Sequence, residues 1–110
     1  MLKCAFILIL PGADSRTDIV MIEKPNVCQM MVGVKDFDDA VNTAKSLVED
    51  GVELIEVCGG FGLVSAAKVI KAVGDKVPVG SVSFGVESAG KFSALLEKHG
   101  FSALLDLEKH

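Results

Sequence analysis

The chain has 110 residues, which gives room for a single domain with one hydrophobic core. Half of the residues are hydrophobic, the formal net charge is −4, and the six aromatic residues are all phenylalanine. Because there is neither a basic run nor an aromatic stacking platform, the composition argues against nucleic acid and against an anionic membrane surface as partners. No segment approaches the ~20 apolar residues that cross a bilayer. We therefore expect one cytoplasmic domain over 1–110.

The apolar content also bears on self-association. The mean hydropathy is positive, and a domain of this size buries only roughly two-thirds of the surface of its unfolded chain. We expect the remaining apolar surface to be covered by other copies of the chain, which predicts a homo-oligomer.

The cysteines and the first residues bear on the compartment. Cys4, Cys28 and Cys58 are odd in number and widely spaced, as expected of reduced cytosolic thiols rather than of a disulfide framework or a metal site. We predict no metal and no cofactor. The apolar run from Cys4 to Leu10 is compatible with a short signal peptide, but it is barely long enough and lacks a clear cleavage site, so a buried first strand is preferred.

The first quarter of the chain predicts two strands around an ambiguous segment. Residues 3–10 predict a strand buried on both faces, because all of them after Lys3 are apolar up to a Pro-Gly pair. Residues 14–17 offer helix caps, and Ile19 and Ile22 lie one helical turn apart, so we expect a short helix that ends before Pro25, although its β-branched residues leave a strand open. Residues 27–34 predict the second strand.

The clearest element is a helix that begins after Asp36. Asp36 is a good N-cap residue, and Asp39 stands at the third helical position, where a carboxylate favours the helix N-terminus. Gly51 follows as the C-cap residue. The apolar positions form one stripe: Phe37, Ala40, Val41, Ala44, Leu47 and Val48.

Two further strand–helix pairs follow. Residues 52–58 predict a strand and 63–73 a helix, and residues 78–84 predict a strand before a helix that starts at position 87 or 88. Because the helix over 63–73 is apolar nearly all round, we expect it to pack between layers or to form a subunit contact. Residues 101–107 are a possible fifth strand.

Strands that alternate with helices and are apolar on both faces predict parallel βαβ units. We therefore expect a single compact α/β domain with a mainly parallel sheet of four or five strands, flavodoxin-like or resembling half of a (β/α) barrel. Ligands in such folds bind beyond the carboxyl ends of the strands. Four loops would lie along that edge: 11–16, 33–36, 58–62 and 84–87.

The glycine turn, Cys58–Gly62, is the best candidate for a working site. Its three glycines remove side chains where a strand leads into a helix, so N–H groups and the positive helix end would face a small anionic metabolite, phosphate or carboxylate. The alternative is that the glycines only permit a tight turn. Nucleotide binding is less favoured, because Gly60–Ser65 matches the fingerprint G-x-G-x-x-G without its last glycine. The predicted ligand-binding residues are Gly59, Gly60, Phe61, Gly62, Arg16, Lys35 and Ser83.

Glu56 is the predicted acid/base. By alternation Glu53 and Glu56 point to opposite sides of their strand, so we expect at least one of them to enter packed surroundings. Burial of Glu56 would raise its pKa, which suits a general acid/base. The alternative is an interface salt bridge or partial exposure.

Cys58 and Asp14 complete the predicted catalytic set. A thiolate at Cys58 would be favoured before a helix N-terminus, although cysteine is also an ordinary small buried residue. If the protein is an enzyme, proton transfer at a carbon next to a carbonyl, as in an isomerase or lyase, is the expected reaction. The alternative is a non-catalytic oligomeric binding or interaction module.

Several segments together resemble a known family: Pro11–Asp14, Val32–Val34, Ile55–Gly62 and Val77–Gly80. It is a family of small uncharacterised prokaryotic α/β proteins, a domain-of-unknown-function family with a Cys-Gly-Gly-Phe-Gly turn. The resemblance covers most of the chain up to the fourth strand. It implies a small single-domain α/β protein and supplies no activity, cofactor or catalytic residue. A looser similarity of the turn to phosphate-binding turns of (β/α)-barrel enzymes is an analogy.

Overall fold

The computed structural model describes residues 1–101, which form a sheet and three helices. The strands are β1 (Leu2–Ile9), β2 (Ile19–Lys24), β3 (Val27–Val34), β4 (Leu54–Val57) and β5 (Val79–Ser81). The helices are α1 (Phe37–Glu49), α2 (Leu63–Val73) and α3 (Val86–Lys98). Among these described helices, none combines the length and the apolar character that a membrane span requires.

The sheet has the strand order β2-β3-β1-β4-β5, and every neighbouring pair is parallel except β2 with β3. The predicted α/β domain with a mainly parallel sheet is confirmed. Taken alone, the four parallel strands follow the flavodoxin-like order, second-first-third-fourth. The departure from that plan is the link from β1 to β3, which runs through the antiparallel strand β2 instead of a helix.

Helix α1 forms where the sequence predicts it. The Asp36 side chain accepts a hydrogen bond of 2.8 Å from the Asp39 N–H and so caps the first turn. The chain leaves the helix through Gly51, whose φ of +95° lies in the left-handed region that glycine adopts without strain. One stripe of the helix is buried: Phe37, Ala40, Ala44 and Leu47.

The core lies between one face of the sheet and helices α1 and α2, which also pack against each other. Alternate residues of β1, β3 and β4 supply the sheet side, and Val69 of α2 lies fully buried against them. The largest fully buried side chains are Ile7, Ile55, Val32, Val34, Val57 and Val69.

The opposite face of the sheet, which we call the bare face, is solvent-exposed near its centre. The strand register aligns one residue from each strand across it: Val20, Met31, Phe6, Glu56 and Gly80. All of these except the partly buried Phe6 are exposed. Parallel sheets are usually covered on both faces by crossover helices. Here β2 replaces the one crossover that would have placed a helix on this side.

The expected short helix before Pro25 is wrong, and the alternative, a strand, is what forms. Ile19–Lys24 is a strand that pairs with β3 through the two-residue turn Pro25–Asn26. The helical spacing of Ile19 and Ile22 is outweighed by the β-branched residues, which fit a strand, and by a long-range partner that local spacing does not reveal.

Other elements differ in extent. β4 is shorter than the predicted 52–58, β5 is shorter than 78–84, and α3 begins at Val86. Helix α2 has the predicted bounds but does not lie between layers, since Leu63, Val64 and Ile70 are exposed. The predicted fifth strand over 101–107 lies, beyond its first residue, outside the described residues. The fifth strand of the observed sheet is β2.

Candidate functional site

The carboxyl ends of β3, β1, β4 and β5 meet at one edge of the sheet, as predicted. The chain turns toward β3 after β1 and toward β5 after β4, so the direction of winding changes between β1 and β4. Ligands of open α/β sheets bind in the crevice beyond such a switch point. The glycine turn follows β4 and therefore lies beside it.

Backbone and ring contacts fix the glycine turn in place. The Cys58 N–H donates to the Ile7 carbonyl at 3.0 Å, and the Phe61 N–H donates to the Cys58 carbonyl at 3.0 Å. The buried Phe61 ring packs edge-on against Phe37 with centroids 5.1 Å apart. The turn is thus part of the core at its base and open only on its outer side.

Close approach, rather than backbone conformation, explains two of the glycines. Every positive-φ glycine of the described chain lies outside the turn. A Cβ on Gly60 would lie 2.5 Å from Cγ2 of Ile9, and a Cβ on Gly59 would overlap Cε2 of Phe84. The structural interpretation therefore accounts for Gly59 and Gly60, whereas Gly62 is the N-cap residue of α2.

A cleft of about 320 Å³ lies between the glycine turn, the end of β5 and α3. We call it the β4–β5 cleft. Its volume is at the lower end of the range of ligand sites. One wall is the Phe84–Phe92 stack, with ring centroids 4.7 Å apart. The lining residues are Gly59, Phe61, Gly62, Leu63, Ser81, Val82, Ser83, Phe84, Ala89, Phe92 and Ser93.

Helix α2 begins at this cleft, and α3 begins directly after the lining residue Phe84. Gly62 precedes α2 and Gly85 precedes α3, and neither residue has a side chain that caps its helix. The Glu87 carboxylate lies over Gly85, since a Cβ there would be 2.5 Å from Oε1 of Glu87. None of the residues lining the cleft is basic. Positive potential in the cleft therefore comes from helix ends.

A separate cavity of about 380 Å³ holds the predicted cations. It lies by the β1 and β3 ends and contains Asp14, Arg16 and Lys35, none of which lines the β4–β5 cleft. Arg16 donates to both Asp14 carboxylate oxygens at 3.1 Å. These hydrogen bonds, with one from the Arg16 backbone, hold the pKa of Asp14 below its usual value.

Asp39 joins this cavity to α1, a role that sequence reasoning missed. Its carboxylate accepts hydrogen bonds from the Ser15 hydroxyl at 3.0 Å and from the Lys35 N–H at 3.1 Å. From the sequence, Asp39 is predicted only to stabilise the N-terminus of α1 with its carboxylate. The contact with Ser15 depends on how the loop after β1 folds, and no local pattern signals it.

Glu56 does not line the β4–β5 cleft. It lies on the bare face, opposite Phe6 and Gly80, and is exposed. Glu53 is exposed as well, so the expectation that one of the two enters packed surroundings is wrong for the single chain. Glu56 is exposed because helices cover β4 on one face only, and Glu53 is exposed because it lies just before the start of β4.

Cys58 is half-buried, and its Sγ accepts a hydrogen bond of 3.4 Å from the Ile9 N–H. This bond ties the start of the glycine turn to the end of β1. Catalytic roles for Cys58, Glu56 and Asp14 stay predictions.

A family model described as "Family of unknown function (DUF6506)" matches residues 2–97. No curated protein matches the chain, and no solved structure does.

Proposed function

The chain belongs to the DUF6506 family, whose function is unknown, and we propose that it is a binding domain for a small anionic metabolite. The ligand, a carboxylate or phosphate with an apolar body, would occupy the β4–β5 cleft. One observation carries this proposal: α2 begins at the cleft, and α3 begins directly after the lining residue Phe84, both without a side-chain cap. A helix N-terminus favours a bound anion through its N–H groups and its dipole.

The rest of the cleft supports the same ligand class. Ligand sites are mostly apolar with a few polar groups that fix orientation. The apolar lining here includes Phe61, Phe84 and Phe92, and the polar groups are the hydroxyls of Ser81, Ser83 and Ser93. An apolar body against the rings would direct its anionic end toward the helix starts.

Charge for the ligand would come from the helix ends and not from Arg16 or Lys35. Those two side chains line the other cavity, and Arg16 is already paired with Asp14. Glu87 would compete with a ligand, because its carboxylate lies at the start of α3. Removing that charge in Glu87→Gln should strengthen binding of an anion.

Isomerase- or lyase-type chemistry at Glu56 and Cys58 stays a prediction, and nothing in the geometry of the cleft depends on it. Cytoplasmic location, prokaryotic origin and the glycine turn as a family signature are likewise predictions.

A matched pair of variants tests the proposal. Leu63 is the first residue of α2, lines the cleft and is 86% exposed. Leu63→Glu places a negative charge in the cleft, yet an acidic residue in the first turn favours the helix, so the fold should persist. Leu63→Gln changes the side chain similarly without charge.

Binding of inorganic phosphate, a triose phosphate and malonate should be measured by calorimetry and amide chemical shifts at constant ionic strength. We expect at least one of them to bind the wild type and Leu63→Gln, and to bind Leu63→Glu at least ten-fold more weakly. Equal binding to both variants, or shifts confined to the Arg16 cavity, would refute the β4–β5 cleft as the site.

A second candidate function, a self-associating interaction module, is favoured by the exposed apolar side chains of β2 and the bare face. These include Val20, Met21, Ile22 and Met31. Sedimentation at micromolar concentration tests this candidate, and a monomeric mass there would contradict it.

A further inference from the structure

The two edges of the sheet are unlike each other. β5, at one edge, has only three residues, and short edge strands are a common protection against unwanted pairing. β2, at the other edge, has six residues, all exposed, and its stretch Ile19–Ile22 contains neither a charge nor a proline. An apolar edge strand of this length is a template for pairing with another strand.

The β2–β3 register shows which backbone groups of β2 face outward. Ile19 pairs with Val32, so Asp18 stands opposite Gly33, and the Gly33 N–H donates to the Asp18 carbonyl at 2.9 Å. In an antiparallel pair, alternate residues exchange hydrogen bonds with the neighbouring strand. The even-numbered residues of β2 therefore bond to β3, and the odd-numbered ones direct their N–H and C=O groups away from the sheet.

We propose that β2 pairs antiparallel with β2 of a second copy of this chain, about a two-fold axis at Met21. The inference builds on the self-association candidate and does not depend on anion binding. Met21 is odd-numbered and central in the strand, so its outward N–H and C=O would bond to those of the partner's Met21. Met21 is 53% exposed and is available for this contact.

The outward N–H and C=O groups of β2 permit several registers of the two β2 strands. The charged residues at the ends of β2 favour the register with Met21 on the axis. With Met21 on the axis, Val20 stands opposite Ile22 of the partner subunit, and Asp18 stands opposite Lys24 of the partner subunit. Opposite charges facing each other across strands stabilise a pair. A shift by two residues in either direction removes both Asp18–Lys24 pairs, and no other pair of opposite charges within β2 replaces them.

The pairing places no helix of one copy in the path of the other copy's sheet. Because the two-fold axis is perpendicular to the sheet, α1 and α2 of both copies would lie on the same side of a continuous ten-stranded sheet. At the end of the contact, the Ile19 N–H already donates to the Thr17 carbonyl at 2.9 Å. The pairing therefore depends mainly on the outward groups of Met21 and Glu23 and on the Ile19 carbonyl.

Cysteine cross-linking tests the register. In Met21→Cys, the two copies of residue 21 would form a hydrogen-bonded pair with Cα atoms about 5.5 Å apart, within disulfide range. In Val20→Cys, a residue of similar exposure, the two copies would be diagonal neighbours roughly 7–8 Å apart, which is too far. We expect a covalent dimer from Met21→Cys under mild oxidation and little from Val20→Cys or the wild type. Equal cross-linking of both variants would overturn the register.

Solution mass tests the pairing itself. Met21→Pro removes an outward N–H and leaves the hydrogen bonds to β3 intact, whereas Ile22→Pro removes one that β3 uses. Met21→Lys places like charges opposite each other only in the dimer. We expect Met21→Pro and Met21→Lys to weaken the dimer at least ten-fold while the circular dichroism stays that of the wild type.

The solution masses of the wild type and the Met21 variants distinguish self-association in general from the β2 pairing in particular. A monomeric wild type would overturn both self-association and the β2 pairing. An oligomeric wild type whose mass is unchanged in Met21→Lys would overturn the β2 pairing alone, even if Met21→Pro fails to fold.

Discussion

Gly60 lies against Ile9 so closely that a Cβ on Gly60 would be 2.5 Å from Cγ2 of Ile9. Ile9 is the last residue of β1 and is buried, and its β-branched side chain has little freedom to move. The glycine turn and the end of β1 are therefore packed as one unit at the point where the sheet changes its direction of winding.

Gly60→Ala should lower the free energy of unfolding by about 1–3 kcal/mol, because the added methyl group overpacks this contact. Gly59→Ala should cost less, since its neighbour is the half-exposed Phe84 ring, which can move toward solvent. Urea unfolding of the two variants measures the difference. If Gly59→Ala is the more damaging, the turn is held by Phe84 and not by β1.

Gly90→Ala should raise stability by about 0.5–1 kcal/mol. Gly90 lies inside α3, a Cβ there would meet nothing within 4 Å, and alanine has the higher helix propensity. Gly74→Ala is the opposite case, since Gly74 has a φ of +62° that strains any other residue. In denaturant unfolding, the free energy of unfolding should therefore rise for Gly90→Ala and fall for Gly74→Ala. A change in the same direction for both variants would argue against the backbone explanation.

Asp36→Ala should lower the free energy of unfolding by about 1 kcal/mol through loss of the α1 cap. Asp36→Ser keeps an oxygen that can accept from the Asp39 N–H, so it should recover most of the loss. Thermal or urea unfolding of the pair provides the measurement. Equal stability of the alanine and serine variants would show that the cap contributes little here.

Asp14 should titrate below the usual aspartate pKa of about 3.9, and Arg16→Gln should return its pKa toward that value. The Arg16 side-chain hydrogen bonds are the largest cause of the lowering, and Lys35 contributes least, so Lys35→Gln should change the pKa little. Carbon-13 NMR of the Asp14 carboxyl group measures each value.

The direction of the Asp14 shift fixes its effect on stability. Because folding lowers the pKa of a carboxyl group, the folded chain is favoured when that group is ionised. The contribution is present above the unfolded pKa and is lost as the pH falls through the folded one. A smaller acid dependence attributable to Asp14 is the expected result in Arg16→Gln, since the backbone N–H of residue 16 still donates to Asp14, and an unchanged Asp14 titration would contradict the pairing.

The sequence predicts the elements whose causes are local. Asp36 and the apolar stripe after it define α1, and the glycines at 62 and 74 bracket α2. The same patterns place the four loops at one edge, since parallel strands share their carboxyl ends. The helix predicted before Pro25 does not form, because residues 19–24 pair with β3 as a strand. The neighbouring residues in the sequence do not specify that partner.

The site is predicted less well than the fold for a related reason. Which loops become neighbours depends on strand order, so the sequence could not show that Arg16 and Lys35 lie in one cavity and the glycine turn in another. The exposure of Glu56 depends on which face the helices cover. That in turn depends on β2 replacing a helical crossover, which is a property of the whole chain path.

Helix α3 buries none of its residues, although it forms one wall of the β4–β5 cleft. A wall held by so few apolar contacts opens locally at a lower free energy than the sheet beneath it. A ligand in the cleft would therefore contact both this weakly packed helix and the glycine turn, which is packed against the core. Occupancy would therefore slow amide hydrogen exchange along α3.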